Sequence, residues 1–209
     1  MEAHGVLLDV AFLKKLQTET ARHIQRLEKT ICDLAGVQFN IRSPQQLQEV
    51  LFQKLRLSVH GLKKGKTGIS TSAMELEKLR GSHKIIDFVL EYREMTKLQS
   101  TYIEALPKML GPDKRLHTHF HQTIAATGRL SSADPNLQNI PIRTKAGREI
   151  RKSFIAPKGY ALVSADYSQI ELRAVASLAN DKKMIEFFEQ GKDIHRATAA
   201  AINGIDEKD

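Results

Sequence analysis

The run Asp166-Tyr167-Ser168-Gln169-Ile170-Glu171-Leu172-Arg173 puts one carboxylate directly after the apolar stretch from Tyr160 to Ala165, and a second one turn into a predicted helix. An acid at such a junction can hold Mg²⁺ beside a phosphate. That ion accepts one or two carboxylates and completes its shell with substrate oxygens and water, so it does not need an all-protein cage. The same aspartate can equally be a helix N-cap, because its side chain can accept from the first free backbone N–H groups. Taken alone, Asp166 leaves both readings open.

A second cluster is basic. Gly61-Leu62-Lys63-Lys64-Gly65-Lys66-Thr67 is rich in glycine and lysine, but three residues separate its glycines where a P-loop has four. No buried strand precedes it and no helix follows at once, so the P-loop reading is rejected. Lysines and hydroxyls at an exposed tip suit the phosphates of duplex DNA, where each neutralised charge adds salt-dependent affinity without regard to sequence. The chain has 32 Lys plus Arg against 24 Asp plus Glu, a net charge of +8, which favours a polyanionic partner. A solvated basic loop would have the same composition.

Cysteine cross-links and cysteine zinc clusters are excluded. Cys32 is the single cysteine, so neither an internal disulfide nor a cysteine-based zinc cluster can form, which fits a reducing cytoplasm. There is no apolar run long enough to span a bilayer, and Met1-Glu2-Ala3-His4 lacks the basic and apolar regions of a signal peptide. Neither membrane insertion nor secretion is expected.

The elements that must position these residues follow from periodicity. Leu13, Leu16, Ile24, Leu27, Ile31 and Leu34 share one face of a helix predicted over Val10 to Ala35, capped by Asp9 and stopped at Gly36. That helix is about 38 Å long at 1.5 Å per residue. Ser43-Pro44 opens a short helix with Leu47, Val50, Leu51 and Leu55 inward. Residues 59–72 lack periodicity and read as an exposed, mobile loop. Ser72-x-x-Glu75 reads as a capping box, and a second long helix runs from Ser82 to Leu106, ahead of Pro107. Beyond Gly111-Pro112 come short alternating segments at 117–123 and 152–155, then a buried strand over 160–165. Helices follow from near Gln169 and from Asp193, the latter covering Ile194 to Ile202. The fold class is therefore α+β, with an all-helical arm over 1–110 and a mixed module over 111–209.

Five segments resemble family A DNA polymerases, the bacterial DNA polymerase I type. Asp166 to Arg173 is similar to that family's motif A at every position. Thr127-Gly128-Arg129-Leu130-Ser131-Ser132 and Asp134-Pro135-Asn136-Leu137-Gln138-Asn139-Ile140-Pro141-Ile142-Arg143 resemble its primer-template segment. Asp193-Ile194-His195 matches a further family string, and Lys97-Leu98-Gln99-Ser100-Thr101-Tyr102 resembles the second thumb helix. The resemblance spans nearly the whole chain and implies a thumb over 1–110 and the front of a palm over 111–209.

It also implies roles. Asp166 would ligate both Mg²⁺ ions of a two-metal nucleotidyl transfer, with a main-chain carbonyl ligand from Tyr167. Tyr167, Ser168, Gln169, Ile170, Glu171 and His195 would line the nucleotide, Glu171 as a steric gate against a ribose 2′-hydroxyl and His195 against the triphosphate. Arg129 would read acceptors common to all correct pairs in the minor groove at the primer terminus. Lys63, Lys64, Lys66, Thr67, Ser70, Thr71, Ser72, Arg93 and Lys97 would contact duplex phosphates, and Asn136, Gln138, Asn139 and Arg143 would position template and primer. The implied partners are primer-template DNA and deoxynucleoside triphosphates, acting on a cytoplasmic monomer in replication and repair.

Two other family elements, a fingers helix with Arg, Lys and an aromatic and a His-Asp-Glu turn with the second metal-binding aspartate, do not occur in these 209 residues. Nuclease domains are likewise outside the sequence. The 209 residues alone are thus expected not to extend a primer. A non-catalytic module that binds duplex DNA stands as the alternative from another class.

Overall fold

The computed structural model describes residues 1–65, 68–142 and 144–204, with the side chains of Ala197 and Ala201 excepted. Lys66, Thr67 and Arg143, three of the expected DNA contacts, lie outside the described residues.

The chain is α+β and divides into two compact units, Met1–Leu162 and Val163–Asp209. In the first, β1 (Val6–Leu8) leads into α1 (Val10–Ala35), whose bounds match the apolar periodicity. Asp9 accepts from the Phe12 N–H at 2.8 Å, and Gly36 closes the helix with φ 63°, a left-handed cap that costs glycine little. Ser43 caps α2 (Pro44–Gln48), which continues as a π-helical turn over Glu49–Lys54.

α1 packs against α4 (Ile85–Leu98). Gln17 donates to Glu104 at 3.4 Å and His23 meets Glu91 at 2.7 Å, a pairing of rising with falling numbers that makes the two helices antiparallel. One core fills the pair towards the tip around Ile31, Leu47, Leu51, Leu76, Ile85, Ile86 and Val89. A second, towards the base, gathers Leu8, Leu13, Leu98, Tyr102, Ile103, Leu106, Leu116 and Ile150.

The second long helix is shorter than its periodicity predicts. α4 ends at Leu98 and widens into a π-helical turn over Gln99–Ile103, in which the Glu104 N–H reaches back five residues to the Gln99 carbonyl at 2.9 Å. The widened turn puts the adjacent Tyr102 and Ile103 both in the core, and Gln99 also bonds Glu104 at 2.6 Å.

The expected loop over 59–72 contains a hairpin, β2 (Lys64–Gly65) against β3 (Gly68–Ile69). The expected capping box is also corrected. Ser72 precedes α3 (Ala73–Glu77) without a side-chain cap bond, and Glu75 turns away from the helix start to the Lys63 N–H at 3.0 Å and Lys78 at 2.8 Å.

β1 lies between β4 (Arg115–Leu116) and β7 (Phe154–Ile155) in an antiparallel sheet, with Val6 opposite Leu116 and Leu7 opposite Ile155. β5 (His119–His121) pairs with β6 (Ser131–Ala133), and α5 (Lys145–Arg151) packs by α4. The boundary anticipated near residue 111 thus falls inside one packed unit, since the N-terminal strand is the centre of a sheet completed by residues 115–116 and 154–155.

The buried strand expected over 160–165 is not formed. Its backbone follows a turn closed by the Tyr160 N–H on the Pro157 carbonyl at 3.0 Å, and Tyr160, Leu162 and Val163 are 77%, 61% and 89% exposed. A strand exists only with a partner for its N–H and C=O groups, and no described strand pairs with this run.

The second unit holds α6 (Ile170–Leu178), α7 (Lys182–Glu189) and α8 (Ile194–Asn203). α7 goes beyond the sequence pattern, in which Asn180-Asp181 reads as a turn only. Asp181 caps it by accepting from the Met184 N–H at 3.1 Å.

Candidate nucleic-acid interface and metal-binding carboxylate

In the second unit, Asp166 sits on irregular exposed backbone ahead of α6 and has no hydrogen bond or ion pair among the described residues. No group of three potential metal ligands occurs among those residues. Its chemistry therefore fits one ligand of a hard cation whose other ligands come from substrate, which is the usual Mg²⁺ arrangement, and does not fit a closed protein cage.

The segment after Asp166 is tied down by side chains. Gln169 occupies the left-handed region at φ 54°, unusual for a residue with a Cβ, and immediately precedes α6. Its Nε2 donates to Asp193 Oδ1 at 3.1 Å, and that same oxygen caps α8 by accepting from the His195 N–H at 2.8 Å and the Arg196 N–H at 3.3 Å. These donors, the Arg196 amide foremost, hold the Asp193 carboxyl below its ordinary range. Arg173 returns its Nε to the Ser168 carbonyl at 3.0 Å and lies over the Phe188 ring, 4.4 Å from the centroid. The structure thus brings Ser168, Gln169 and the start of α8 together by side-chain bonds. Tyr167, Ile170, Glu171 and His195 are exposed nearby in sequence.

In the first unit, the expected DNA contacts form two groups. At the tip, Ser70, Thr71, Ser72 and Arg93 line a recess of about 330 Å³ together with Gly65 and Gly68, while Lys63 and Lys64 are exposed beside it. Arg93 is not a free cation there. Its guanidinium donates to the Thr71 carbonyl and, at 3.4 Å, to the Thr71 hydroxyl, and burial lowers its pKa below the ordinary arginine value. Thr71 is itself buried. The pair braces the recess, while Lys63, Lys64 and Ser72 keep their side chains exposed.

At the base, Lys97, Asn136, Gln138 and Asn139 line an open groove of about 1220 Å³ that runs along α4 and the loop after β6. That loop is braced internally. Ser132, fully buried, accepts from the Leu137 and Gln138 N–H groups at 3.0 and 3.3 Å and donates to Asn136 Oδ1 at 3.2 Å. Gln138 bridges it, accepting from the Ser132 N–H at 3.0 Å and donating to the Leu130 carbonyl at 2.9 Å. Thr118 donates to the Pro135 carbonyl at 2.8 Å, and the Tyr102 hydroxyl to the Asn139 carbonyl at 2.6 Å. The Gln138 amide shapes the loop with these bonds while its residue stays exposed in the groove lining. Arg129 lies exposed just ahead of β6 and is absent from the groove lining.

Sequence reasoning missed Ser132, Thr118 and Glu75 as the residues that set these surfaces. Their signal is burial of a small or charged polar side chain, which residue type alone does not reveal.

Residues 10–209 match the family model described as DNA polymerase family A. The chain is 54% identical over 207 residues to the thermostable DNA polymerase I of Thermus aquaticus, covering 98% of this chain and 25% of that protein. It is 50% identical over 211 residues to the DNA polymerase I of Geobacillus stearothermophilus, covering all of this chain and 24% of that one. Among solved structures it resembles the polymerase domain of Pol1 from M. smegmatis, in complex with DNA primer-template and dNTP, with a TM-score of 0.89 and 43% identity over 99% of this chain and 36% of that chain. The chain therefore spans about a quarter of the length of these curated relatives. With the motif order, the α+β architecture and the family match in agreement, the chain belongs to DNA polymerase family A.

Proposed function

We propose that this chain is the duplex-gripping and carboxylate-bearing part of a DNA-directed DNA polymerase, which transfers nucleotidyl groups from deoxynucleoside triphosphates to a primer 3′-hydroxyl under template direction. Residues 1–110 are read as thumb and 111–209 as the front of the palm. The observation that carries the reading is the Asp166–Arg173 string, present intact in a chain that aligns over nearly its whole length with DNA polymerase I relatives.

Asp166 would hold the divalent ions, read as Mg²⁺, with the Tyr167 main-chain carbonyl as a further ligand. Bound ions of this kind lower the pKa of the attacking hydroxyl and neutralise charge on the triphosphate and leaving pyrophosphate. Ser168, Gln169 and Ile170 flank the incoming sugar, and Glu171 excludes a 2′-hydroxyl by collision, so deoxynucleotide selection rests on a repulsive element. His195, placed by the Asp193 cap, meets the triphosphate. Arg129 reads the minor-groove acceptors of the terminal pair. Lys63, Lys64, Lys66, Thr67, Ser70, Ser72 and Lys97 contact phosphates, with Arg93 acting through Thr71. Asn136, Gln138, Asn139 and Arg143 position the strands, and Gln138 also shapes their loop.

The test is a graft of this chain in place of the corresponding quarter of a Thermus DNA polymerase I, assayed for primer extension with Mg²⁺. The graft is expected to extend primers. Asp166→Ala is expected to lower turnover on the order of a hundred- to a thousandfold or more while leaving primer-template affinity nearly unchanged, because charge stabilisation in the transition state is what is removed. Parallel losses of affinity and turnover would overturn the assignment.

A further inference from the structure

We propose that the recess between α1, α4 and α5, on the first unit, is a binding site for a small organic cation with an apolar body, of the aralkylammonium class. The recess has a volume of about 470 Å³, within the range of small-molecule sites. Its floor is apolar, formed by Leu16, Met95 and Ile150, and its rim carries four carboxylates, Glu19, Glu91, Glu94 and Glu149, against Lys145 and His23. That is a local acidic concentration on a chain of net charge +8.

Two features point to an occupant. The first is Thr20, which lines the recess, is only 4% exposed and whose hydroxyl makes no hydrogen bond among the described residues. Thr18 and Thr30 on the same helix turn their hydroxyls back to the Lys14 and Arg26 carbonyls at 3.2 and 2.9 Å. Helical threonines usually do this when nothing else engages them. Thr20 keeps its hydroxyl unbonded at the recess wall, open to a donor placed in the recess.

The second feature is the state of the rim. Glu91 and Glu149 are held by His23 and Lys152, each at 2.7 Å, whereas Glu19 and Glu94 have no ion pair or hydrogen bond among the described residues. An ammonium group can donate to Thr20 and to these free carboxylates while its hydrocarbon part covers the apolar floor. A bare metal ion would find no such match for the floor, and no three-ligand group occurs among the described residues.

The chain has five methionines, of which only Met95 lines this recess, so ¹³C-methyl methionine labelling gives a local probe with four internal controls. Titration with phenethylammonium is expected to move the Met95 methyl resonance to saturation and leave the other methionines in place. The neutral analogue 2-phenylethanol should bind at least about threefold more weakly, and Glu19→Gln and Glu94→Gln should each weaken the cation about two- to fivefold, the range of a partly exposed ion pair. Thr20→Val, of matched shape, should weaken it as well. Absence of a Met95 shift, equal affinity for cation and alcohol, or unchanged affinity in both glutamine variants would overturn the proposal.

Discussion

The side-chain amide of Gln169 donates to the carboxylate of Asp193 at 3.1 Å, joining the left-handed residue that opens α6 to the N-cap of α8. The bond sets the motif-bearing segment by two helix starts rather than by a strand. Gln169→Leu keeps the bulk but removes the donor. The expected outcome is a shift of the His195 and Arg196 amide resonances with little change in α7, read in a ¹⁵N correlation spectrum.

The Asp193 cap also gives a pH dependence. Its folded pKa lies below the ordinary 3.8, so its contribution to α8 is fully present above that value and is lost as pH falls through the lower folded value. Amide protection of His195 and Arg196 should hold down to about pH 4 and then decline. In Asp193→Asn that decline should flatten, because the amide does not titrate.

At the tip, Glu75 accepts from the Lys63 amide and from Lys78, which in turn donates to the Gly61 carbonyl at 3.0 Å. Lys78 first, then the Lys63 amide, hold the Glu75 carboxyl below 4.5, so this bracing is present above that value and lost as pH falls below it. Glu75→Ala should speed hydrogen exchange at the Lys63 amide on the order of tenfold while leaving α1 unaffected.

Ser132 satisfies two backbone amides of the groove loop from a fully buried position. Ser132→Ala leaves the Leu137 and Gln138 N–H groups without that acceptor, a loss of about 1–3 kcal/mol. Denaturant unfolding should show the midpoint falling at unchanged slope. Tyr102→Phe, which removes the donor to the Asn139 carbonyl, should cost about 1 kcal/mol by the same measurement.

If the tip binds duplex phosphates, Lys63→Ala with Lys64→Ala should weaken binding to unrelated duplexes alike and lower the magnitude of the salt slope by nearly one unit for each phosphate no longer neutralised. An unchanged slope in a filter-binding or anisotropy titration would remove these lysines from the interface.

The sequence by itself determined the local decisions. Asp9, Ser43 and Asp193 as caps, Gly36 as a stop, and the apolar stripe of α1 all act within a few residues, so their chemistry is written in neighbouring letters. The motif string at Asp166 and its order along the chain were likewise legible there. Tertiary structure decided where the polar groups find their partners. Glu75 leaves its expected cap for Lys63 and Lys78, Arg93 is committed to Thr71, and Gln138 bonds the backbone of its own loop. It also decided that residues 160–165 take no strand, although their apolar letters read as one. The reason is the same in each case: a helix satisfies its own backbone, whereas a strand or a buried side chain depends on partners far along the chain that residue type and spacing do not name.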